Sequence, residues 1–303
     1  MGLKKIRRLF DSILTNPGYV GSYFIGRTFP GVFHKRMVKK AKAIGIDKRY
    51  LLFSFDCDTE KDIEVVLDVH HKLLQLGVKP TYAVPGELLI VGRDVYRKLS
   101  DAGAEFMNHG YRSHTTYIEQ TKTYVSTVFY NALTQEEIVD DVIRGHEVCV
   151  NILGKSPKGF RTPHFGTFQS SKQLNYLYKL LFKLGYSYSS STVPSVAMWH
   201  GPIKRVSERF VEFPVTGSYN SPATIIDSWN YRFSPTRMLT EDDYVDQFTK
   251  IINFFLKSQN VGILNIYADP SQVYDWPEFF ECMALTKNFQ QVSYAELADM
   301  VNN

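Results

Sequence analysis

Two aspartates and two histidines are the residues of this chain whose types and spacing point most directly to chemistry. Asp56 and Asp58 close an apolar stretch, and His109 and His114 follow about fifty residues later. A catalytic zinc site typically uses three protein ligands, imidazole nitrogens or carboxylate oxygens, and keeps one position open for water. Asp58, His109 and His114 can supply those ligands. Asp56 lies on the same side of a strand as Asp58 and is free to accept a proton from the attacking water.

This arrangement predicts a metal-assisted hydrolase. Zinc is the expected ion, although the same ligand set also accepts cobalt, nickel, manganese or iron. Cys57 is a competing candidate nucleophile, but its side chain points to the opposite face of the strand, so we assign it a packing role. The three cysteines have no paired spacing, which predicts free thiols and a reducing compartment.

The elements that must position these residues alternate between short apolar strands and amphipathic helices, which is typical of an α/β fold. The predicted strands cover residues 50–55, 81–84, 104–107, 186–189, 210–213 and 263–267. The predicted helices cover residues 62–76, 134–152, 171–184 and 242–258. Thr134 and Glu137 have the spacing of a capping box at the start of the second helix. The candidate site residues fall at or just after strand ends, where the loops of an α/β barrel converge.

Five segments also carry a resemblance to a known protein family, in the order Ser54–Asp58, Asn108–His114, Gly159–Pro163, Leu184–Ser191 and Val261–Pro270. They resemble the motifs of the polysaccharide deacetylase family, which is also called the nodulation-protein-B homology domain or carbohydrate esterase family 4. The resemblance spans roughly residues 50–299. It implies an α/β fold, specifically a distorted (β/α)7 barrel, and the removal of an N-acyl group from an amino sugar.

The resemblance also implies roles for individual residues. Asp56 matches the catalytic base of the family, and Asp58, His109 and His114 match its metal ligands. Arg161 matches the arginine that orients the base, and a guanidinium fork in that position would keep the carboxylate ionised. One departure is the histidine spacing, because four residues separate the pair here and three usually separate it in the family.

A second departure concerns the general acid. The family's fourth motif usually carries an aspartate that polarises a histidine in the fifth motif, and Ser189 and Asp269 stand at those positions here. The leaving amine still needs a proton, so another donor must replace that pair. The candidates are Asp269 in a partly dry cleft, His164 beside the third motif, and Asp56 returning the proton that it took from water.

Substrate contacts are predicted at three further residues. Backbone amides near Tyr111 would hold the oxyanion, Pro163 follows the third-motif arginine, and Trp229 offers an aromatic face to a sugar ring. Trp199 is a second aromatic candidate. Both tryptophans are placed in loops, and packing in the core is an equally good interpretation of each.

The first part of the chain differs in charge from the rest. Residues 1–49 hold twelve Lys and Arg against two acidic residues, which predicts a basic N-terminal arm before a barrel domain at 50–303. Its clusters at 4–8 and 35–42 lie beside aromatic residues, a pattern that suits an anionic membrane surface, although a solvated helix pair packed on the barrel is the simpler interpretation. No nucleic-acid motif is present. No secretion signal or membrane-spanning stretch is evident, so we expect a cytoplasmic protein. If the arm does contact a membrane, we expect it on the inner face.

The sequence therefore predicts a metal-dependent N-deacylase, releasing acetate or formate from an amino sugar. A cytoplasmic enzyme would act on a nucleotide-linked or lipid-linked precursor of a surface polysaccharide such as O-antigen or capsule. Two other functions stay open. One is an amide hydrolase for small nitrogen compounds on the same barrel, and the other is a glycan-binding protein that has lost the chemistry.

Overall fold

A computed structural model describes residues 17–234, 239–257 and 259–302 of the chain. Its strands are β1 Arg49–Asp56, β2 Thr81–Val84, β3 Glu105–Asn108, β4 Thr115–Ile118, β5 Thr123–Ser126, β6 Gly159–Phe160, β7 Tyr188–Ser189, β8 Lys204–Ser207, β9 Phe210–Glu212, β10 Gly262–Ala268 and β11 Gln290–Gln291. Its α-helices are α1 Pro17–Thr28, α2 Pro30–Ala43, α3 Glu60–Gln75, α4 Gly86–Val91, α5 Arg93–Asp101, α6 Gln135–Leu153, α7 Ser171–Lys183, α8 Pro194–His200, α9 Glu241–Lys257, α10 Pro270–Val273, α11 Pro277–Ala284 and α12 Tyr294–Asn302. A π-helical turn covers Trp229–Phe233.

The strands form a curled, mostly parallel sheet, which confirms the predicted α/β class and the distorted barrel. The parallel strands follow the order β10-β1-β2-β3-β6-β7-β9, and β8 lies antiparallel on the outer edge of β9. Strand β1 lies between β10 and β2, and seven residue pairs align it with β10. Its side chains are buried from Tyr50 onward, as expected for a parallel strand that is covered on both faces.

The sheet curls round until β9 and β10 approach each other, but in the described residues no strand ladder joins them. Individual hydrogen bonds link the two edges instead. The Thr216 N–H donates to the Asn265 carbonyl at 2.8 Å, and the Asn265 side-chain amide donates to the carbonyls of Phe213 and Pro214 at 3.0 and 3.1 Å. The barrel therefore closes at a seam between β9 and β10.

The long helices lie close to their predicted bounds because their ends carry local signals. In α6, the Glu137 N–H donates to Thr134 Oγ1 and the Thr134 N–H donates to the Glu137 carboxylate, so the capping box is confirmed. Gly154 then ends the helix with a positive φ of 70°. The β4–β5 hairpin, the two-residue strands β6 and β11, the antiparallel strand β8 and the short helices were not predicted from the sequence. Cys57, Cys149 and Cys282 are buried and free, and Cys57 packs in the core between sheet and helices.

The helices α1 and α2, which belong to the predicted basic arm, pack against the barrel near the seam. Phe33 and Ala41 on α2 are buried. His34 Nε2 donates to the Tyr219 carbonyl at 2.8 Å, and the His34 and Tyr219 rings stack with centroids 4.7 Å apart. The basic cluster at 4–8 lies outside the described residues. Among the residues that the structure describes, no helix is long and apolar enough to cross a membrane.

Packing of α2 should contribute measurably to stability. Phe33→Ala should lower the free energy of unfolding by about 3–5 kcal/mol, because it empties a fully buried aromatic position beside the seam. The matched control is Val32→Ala, one residue earlier and 54% exposed, which should change stability by about 0.5 kcal/mol or less. Urea unfolding of both variants measures the difference. Equal midpoints for the two variants would mean that α2 packs too loosely to support the barrel.

Candidate functional site

Three buried atoms converge at the carboxyl end of the sheet. His114 Nε2 lies 3.0 Å from Asp58 Oδ1, and His109 Nε2 lies 3.4 Å from the same oxygen. These three ligand atoms all lie within 4.8 Å of one another. Each is buried without a hydrogen-bond partner, although buried polar atoms are normally satisfied.

The backbone contacts of the two rings fix which nitrogen faces the cluster. His109 Nδ1 lies 2.8 Å from the Arg161 carbonyl, and His114 Nδ1 lies 3.4 Å from the Arg112 carbonyl. A carbonyl only accepts, so each Nδ1 carries the hydrogen and each neutral ring presents the Nε2 lone pair to Asp58. Two lone pairs and a carboxylate oxygen repel one another unless a cation lies between them. The three residues therefore fit a divalent metal ion.

The same electrostatics affect protonation. Burial alone would raise the pKa of Asp58, but the neighbouring His114 and His109 hold it well below its usual range. Burial likewise opposes a charge on His114, but the adjacent Asp58 raises the pKa of this histidine. In the absence of a metal ion, this cluster attracts a proton in its place.

A tight turn after β3 brings both histidines to the cluster. Gly110 has a φ of 80°, and its N–H donates to Asn108 Oδ1 at 2.9 Å. A Cβ at Gly110 would lie 2.2 Å from Asp141 Oδ2, so only glycine fits. Asp141 also accepts the Arg112 N–H at 2.9 Å and holds the turn from α6. The four-residue spacing between the histidines thus allows both imidazoles to reach Asp58.

Asp56 and Arg161 form a buried ion pair beside this cluster. Arg161 Nη1 donates to Asp56 Oδ1 at 2.7 Å, and the other carboxylate oxygen, Oδ2, lies 4.0 Å from His109 Nε2. Burial alone would lower the pKa of Arg161, but the carboxylate of Asp56 outweighs this effect, and the pKa lies above its ordinary value. The predicted contact between the arginine of the third motif and the aspartate is therefore present.

Residues distant in sequence complete the support of Arg161. Its Nε and Nη2 donate to the carbonyl and the hydroxyl of Ser190, at 3.1 and 3.0 Å. Tyr294 on α12 places its hydroxyl 3.4 Å from Nη2 and donates to Asn265 Oδ1. Tyr294 and Asn265 were not among the predicted site residues. A buried arginine needs several acceptors, but nothing local in the sequence indicates which residues provide them.

A cleft opens above the cluster, with a volume of about 300 Å³. The residues around it come from five segments that the fold brings together, and they are Asp56, Asp58, Thr115, Ser126, Phe129, His164, Phe165, Thr167, Ile225, Asp227, Trp229, Asn230, Ser234, Tyr267 and Asp269. It thus combines the proposed base, one metal-ligand candidate and an aromatic wall. This volume is at the lower end of the range for small-ligand sites.

A sequence profile described as polysaccharide deacetylase matches residues 44–186, which include Asp56, Asp58, both histidines and Arg161. This part of the chain belongs to the polysaccharide deacetylase family. No curated protein matches the chain significantly.

Several solved structures share the fold of this chain. A Mycobacterium smegmatis protein with a provisional assignment as a polysaccharide deacetylase has 18% identity and a TM-score of 0.62, covering 84% of this chain and 90% of its own. The PuuE allantoinase has 10% identity and a TM-score of 0.60, with 84% and 90% coverage. BA3943 of Bacillus anthracis, a CE4 family pseudoenzyme, has 12% identity and a TM-score of 0.51, with 84% and 66% coverage.

The positions that depart from the family motifs have different surroundings. Ser189 is buried on β7, and its hydroxyl donates to Ser191 Oγ at 2.8 Å. Asp269 is half-buried on the cleft wall, where its N–H donates to Ser228 Oγ and its carboxylate accepts from the Gln272 amide. Burial and the nearby carboxylates, with Asp58 foremost, raise the pKa of Asp269 well above its ordinary value. A protonated Asp269 carboxyl group can donate a proton.

Asp62 connects the loops that carry the two aspartates Asp58 and Asp269. It accepts the Asp58 N–H at 3.0 Å on one oxygen and the Ser271 N–H at 2.9 Å on the other. Thr59 also donates to Asp62 through its N–H and hydroxyl, both at 2.9 Å. Burial raises the pKa of Asp62 to about 6. The Thr59-x-x-Asp62 spacing indicates a helix start, but the contact with Ser271 has no sequence signal.

His164 lies against the cluster of Asp58, His109 and His114, with its ring centroid 5.1 Å from that of His114. Its Nε2 donates to the His114 carbonyl at 3.0 Å, and its backbone has a φ of 55°, which is uncommon outside glycine. Burial, with a smaller contribution from His114, lowers the pKa of His164 to about 4. Its neutral ring uses the Nε2–H for the backbone carbonyl of His114.

The predicted substrate contacts separate into two groups. Trp229 lies on the cleft wall and has Tyr124 of the missed hairpin beside it, with ring centroids 6.3 Å apart. The ring of Tyr111 instead stacks under the Arg144 guanidinium, and Pro163 is buried; neither borders the cleft. The predicted loop position of Trp199 is wrong, because this residue lies in α8. Its indole N–H donates to the Gly18 carbonyl on α1.

Metal binding follows directly from the converging lone pairs. The purified protein should take up about one zinc ion per chain, and His109→Ala and His114→Ala should each weaken zinc affinity by roughly a hundredfold or more, since both imidazoles are first-choice ligands. Competition with a chromogenic chelator measures the affinities. His71→Ala, exposed on α3, is the matched control and should bind zinc like the wild type. Unchanged affinity in either site variant would place the ion elsewhere.

Proposed function

We propose that the protein is a metal-dependent hydrolase that removes an N-acyl group, acetyl or formyl, from an amino sugar. The observation that supports this function is the convergence of Asp58, His109 and His114 beside an arginine-held carboxylate, Asp56, in one cleft. A divalent cation at these ligands would supply the Lewis acid that polarises the acyl oxygen and activates water.

Asp56 acts as the general base in this proposal. Its Oδ1 is engaged by Arg161, so the oxygen that faces the cluster, Oδ2, is the one that accepts the proton of the attacking water. The guanidinium favours the ionised carboxylate and fixes its direction. Arg161 is therefore a positioning residue, because it acts on the reaction through Asp56.

Asp269 acts as the general acid. The water oxygen forms a bond to the acyl carbon, Asp56 takes the proton, and the C–N bond breaks as the amine nitrogen receives a proton from Asp269. The products are acetate or formate and the free amino sugar. The raised pKa of Asp269 suits this role, although a bound cation would lower that pKa again by favouring the carboxylate.

The sugar would lie between the cluster and the aromatic wall of Trp229, with Asn230 beside it. A nucleotide-linked or lipid-linked precursor of a surface polysaccharide is the substrate that we favour. A hydrolase for a small amide is the second candidate, because a volume of about 300 Å³ holds one sugar ring but also suits smaller compounds.

Asp56→Asn tests the base. The variant should lose roughly 10²–10⁴-fold in kcat while it keeps its metal, because the amide cannot accept the proton and the three ligands are untouched. The measurements are acetate and formate release from a panel of N-acylated sugar nucleotides and glycolipids, with metal content on the same samples.

Asp68→Asn, an exposed carboxylate change on α3, is the matched control and should retain full activity. Wild-type activity in Asp56→Asn would reject this residue as the base. A metal-loaded wild type that releases no acyl group from any sugar, but hydrolyses small amides, would favour the second candidate.

Asp269→Asn tests the acid through the leaving group. Activity toward an N-acyl amine should fall roughly 10²-fold or more, because the departing nitrogen then lacks its proton donor. Activity toward an activated aryl ester should change little, since a phenolate of low basicity leaves unprotonated. Equal losses on both substrates would assign Asp269 a structural role instead.

A further inference from the structure

Helix α1, the turn after it and the first turn of α2 expose large apolar side chains, Tyr23, Phe24, Phe29 and Val32, which we call the apolar corner. Phe24, Phe29 and Val32 are each more than half exposed, at 54, 60 and 54%. Single exposed apolar residues are ordinary on a protein surface, but four within ten residues at one helix–helix junction are unusual.

A row of cations continues from this corner along α2. Lys35, Lys39 and Lys42 are exposed, and they follow Val32 at intervals of three or four residues, so they lie on one face of the helix. Arg27 on α1 is also exposed and donates to the Tyr23 hydroxyl. We call Lys35, Lys39 and Lys42 the lysine stripe.

The opposite face of the same helices is fixed to the barrel. Phe33 is buried, Arg36 donates to the Met198 carbonyl at 3.0 Å and lies over the Trp199 ring, and His34 contacts Tyr219. The apolar corner therefore lies on helices that are packed against the barrel. On α2, Phe33 faces the barrel, whereas Val32 and Lys35 face solvent, so the helix has two distinct faces.

Helix α1, which carries part of the corner, packs against the segment that leads into the cleft wall. A Cβ at Gly26 of α1 would lie 3.6 Å from the Ala223 nitrogen, and Ile225, two residues further on, lines the cleft. The cleft itself carries Asp56, Asp58, Asp227 and Asp269, and among its described lining residues there is no lysine or arginine. An anionic phosphate is repelled from such a cleft but attracted to the lysine stripe.

We propose that the apolar corner and the lysine stripe seat the protein on an anionic phospholipid surface. Aromatic and apolar side chains at the corner enter the headgroup boundary, and the lysines contact lipid phosphates, a combination that matches both charge and polarity. This second step rests on the proposed function. The amino sugar that is deacylated in the cleft is carried by a lipid of that surface, and the phosphate of the lipid stays outside the acidic cleft.

Vesicle sedimentation tests the surface without any need for activity. The full-length protein should sediment with vesicles of phosphatidylcholine and phosphatidylglycerol at low ionic strength, and much less with phosphatidylcholine alone or at high salt. Phe24→Ser/Phe29→Ser and Lys35→Glu/Lys39→Glu should each weaken the binding at least about tenfold. Asp56→Asn should sediment like the wild type.

The chain offers a matched control on α7, where Phe182 is 51% exposed and Lys179 and Lys183 are exposed on the same helix. Phe182→Ser and Lys179→Glu/Lys183→Glu should leave sedimentation unchanged. Equal sedimentation of the corner variants and the wild type overturns the proposal, as does a wild type with no preference for anionic vesicles.

The lipid-borne substrate has its own test. The corner variants should lose activity toward an N-acylated amino-sugar glycolipid embedded in vesicles, but keep activity toward a water-soluble short-chain analogue. Equal activity of variants and wild type on the embedded glycolipid overturns this part. A wild type that is inactive on both substrates would instead reject the proposed function, but it would not affect the conclusion from sedimentation.

Discussion

The buried Arg161 is the residue on which the rest of the site depends. Its carbonyl accepts from His109 Nδ1 and so turns one metal-ligand candidate toward Asp58. Its guanidinium holds Asp56 by a direct ion pair and is completed by Ser190 and Tyr294. One residue therefore fixes both the ligand cluster and the proposed base. A buried guanidinium is stable only with several acceptors around it, which explains why strands and helix from three parts of the chain converge here.

The chemistry-bearing residues could be predicted from sequence because their signals are local. The Asp56-x-Asp58 spacing places both carboxylates at the carboxyl end of β1, and the short segment from His109 to His114 follows β3 directly. Helix bounds were also close to prediction where caps were present, as at Thr134 and Gly154. Periodicity and capping are properties of neighbouring residues, so the sequence alone contains them.

The supporting contacts could not be predicted, because they join residues far apart in the chain. Tyr294 reaches Arg161 across 133 positions, and Asp62 reaches Ser271 across 209. Trp199 was wrongly placed in a loop; it lies in α8 and contacts α1, in agreement with the packing interpretation that had been left open for it. The β4–β5 hairpin that borders the cleft was missed because its strands are four residues long and half exposed. Such elements depend on their tertiary neighbours more than on propensity.

The seam between β9 and β10 has a consequence for the order of folding. Strand β1 is completed on one side only when β10 arrives, more than 200 residues later, and Asn265 on β10 both bridges the seam and receives Tyr294. Pairings of such long range are slow to form, since the loop they close loses entropy before any contact rewards it. During synthesis, the aspartates, the histidines and Arg161 are therefore present long before Asn265 and Tyr294. The contacts with which these two residues support Arg161 form late, together with barrel closure.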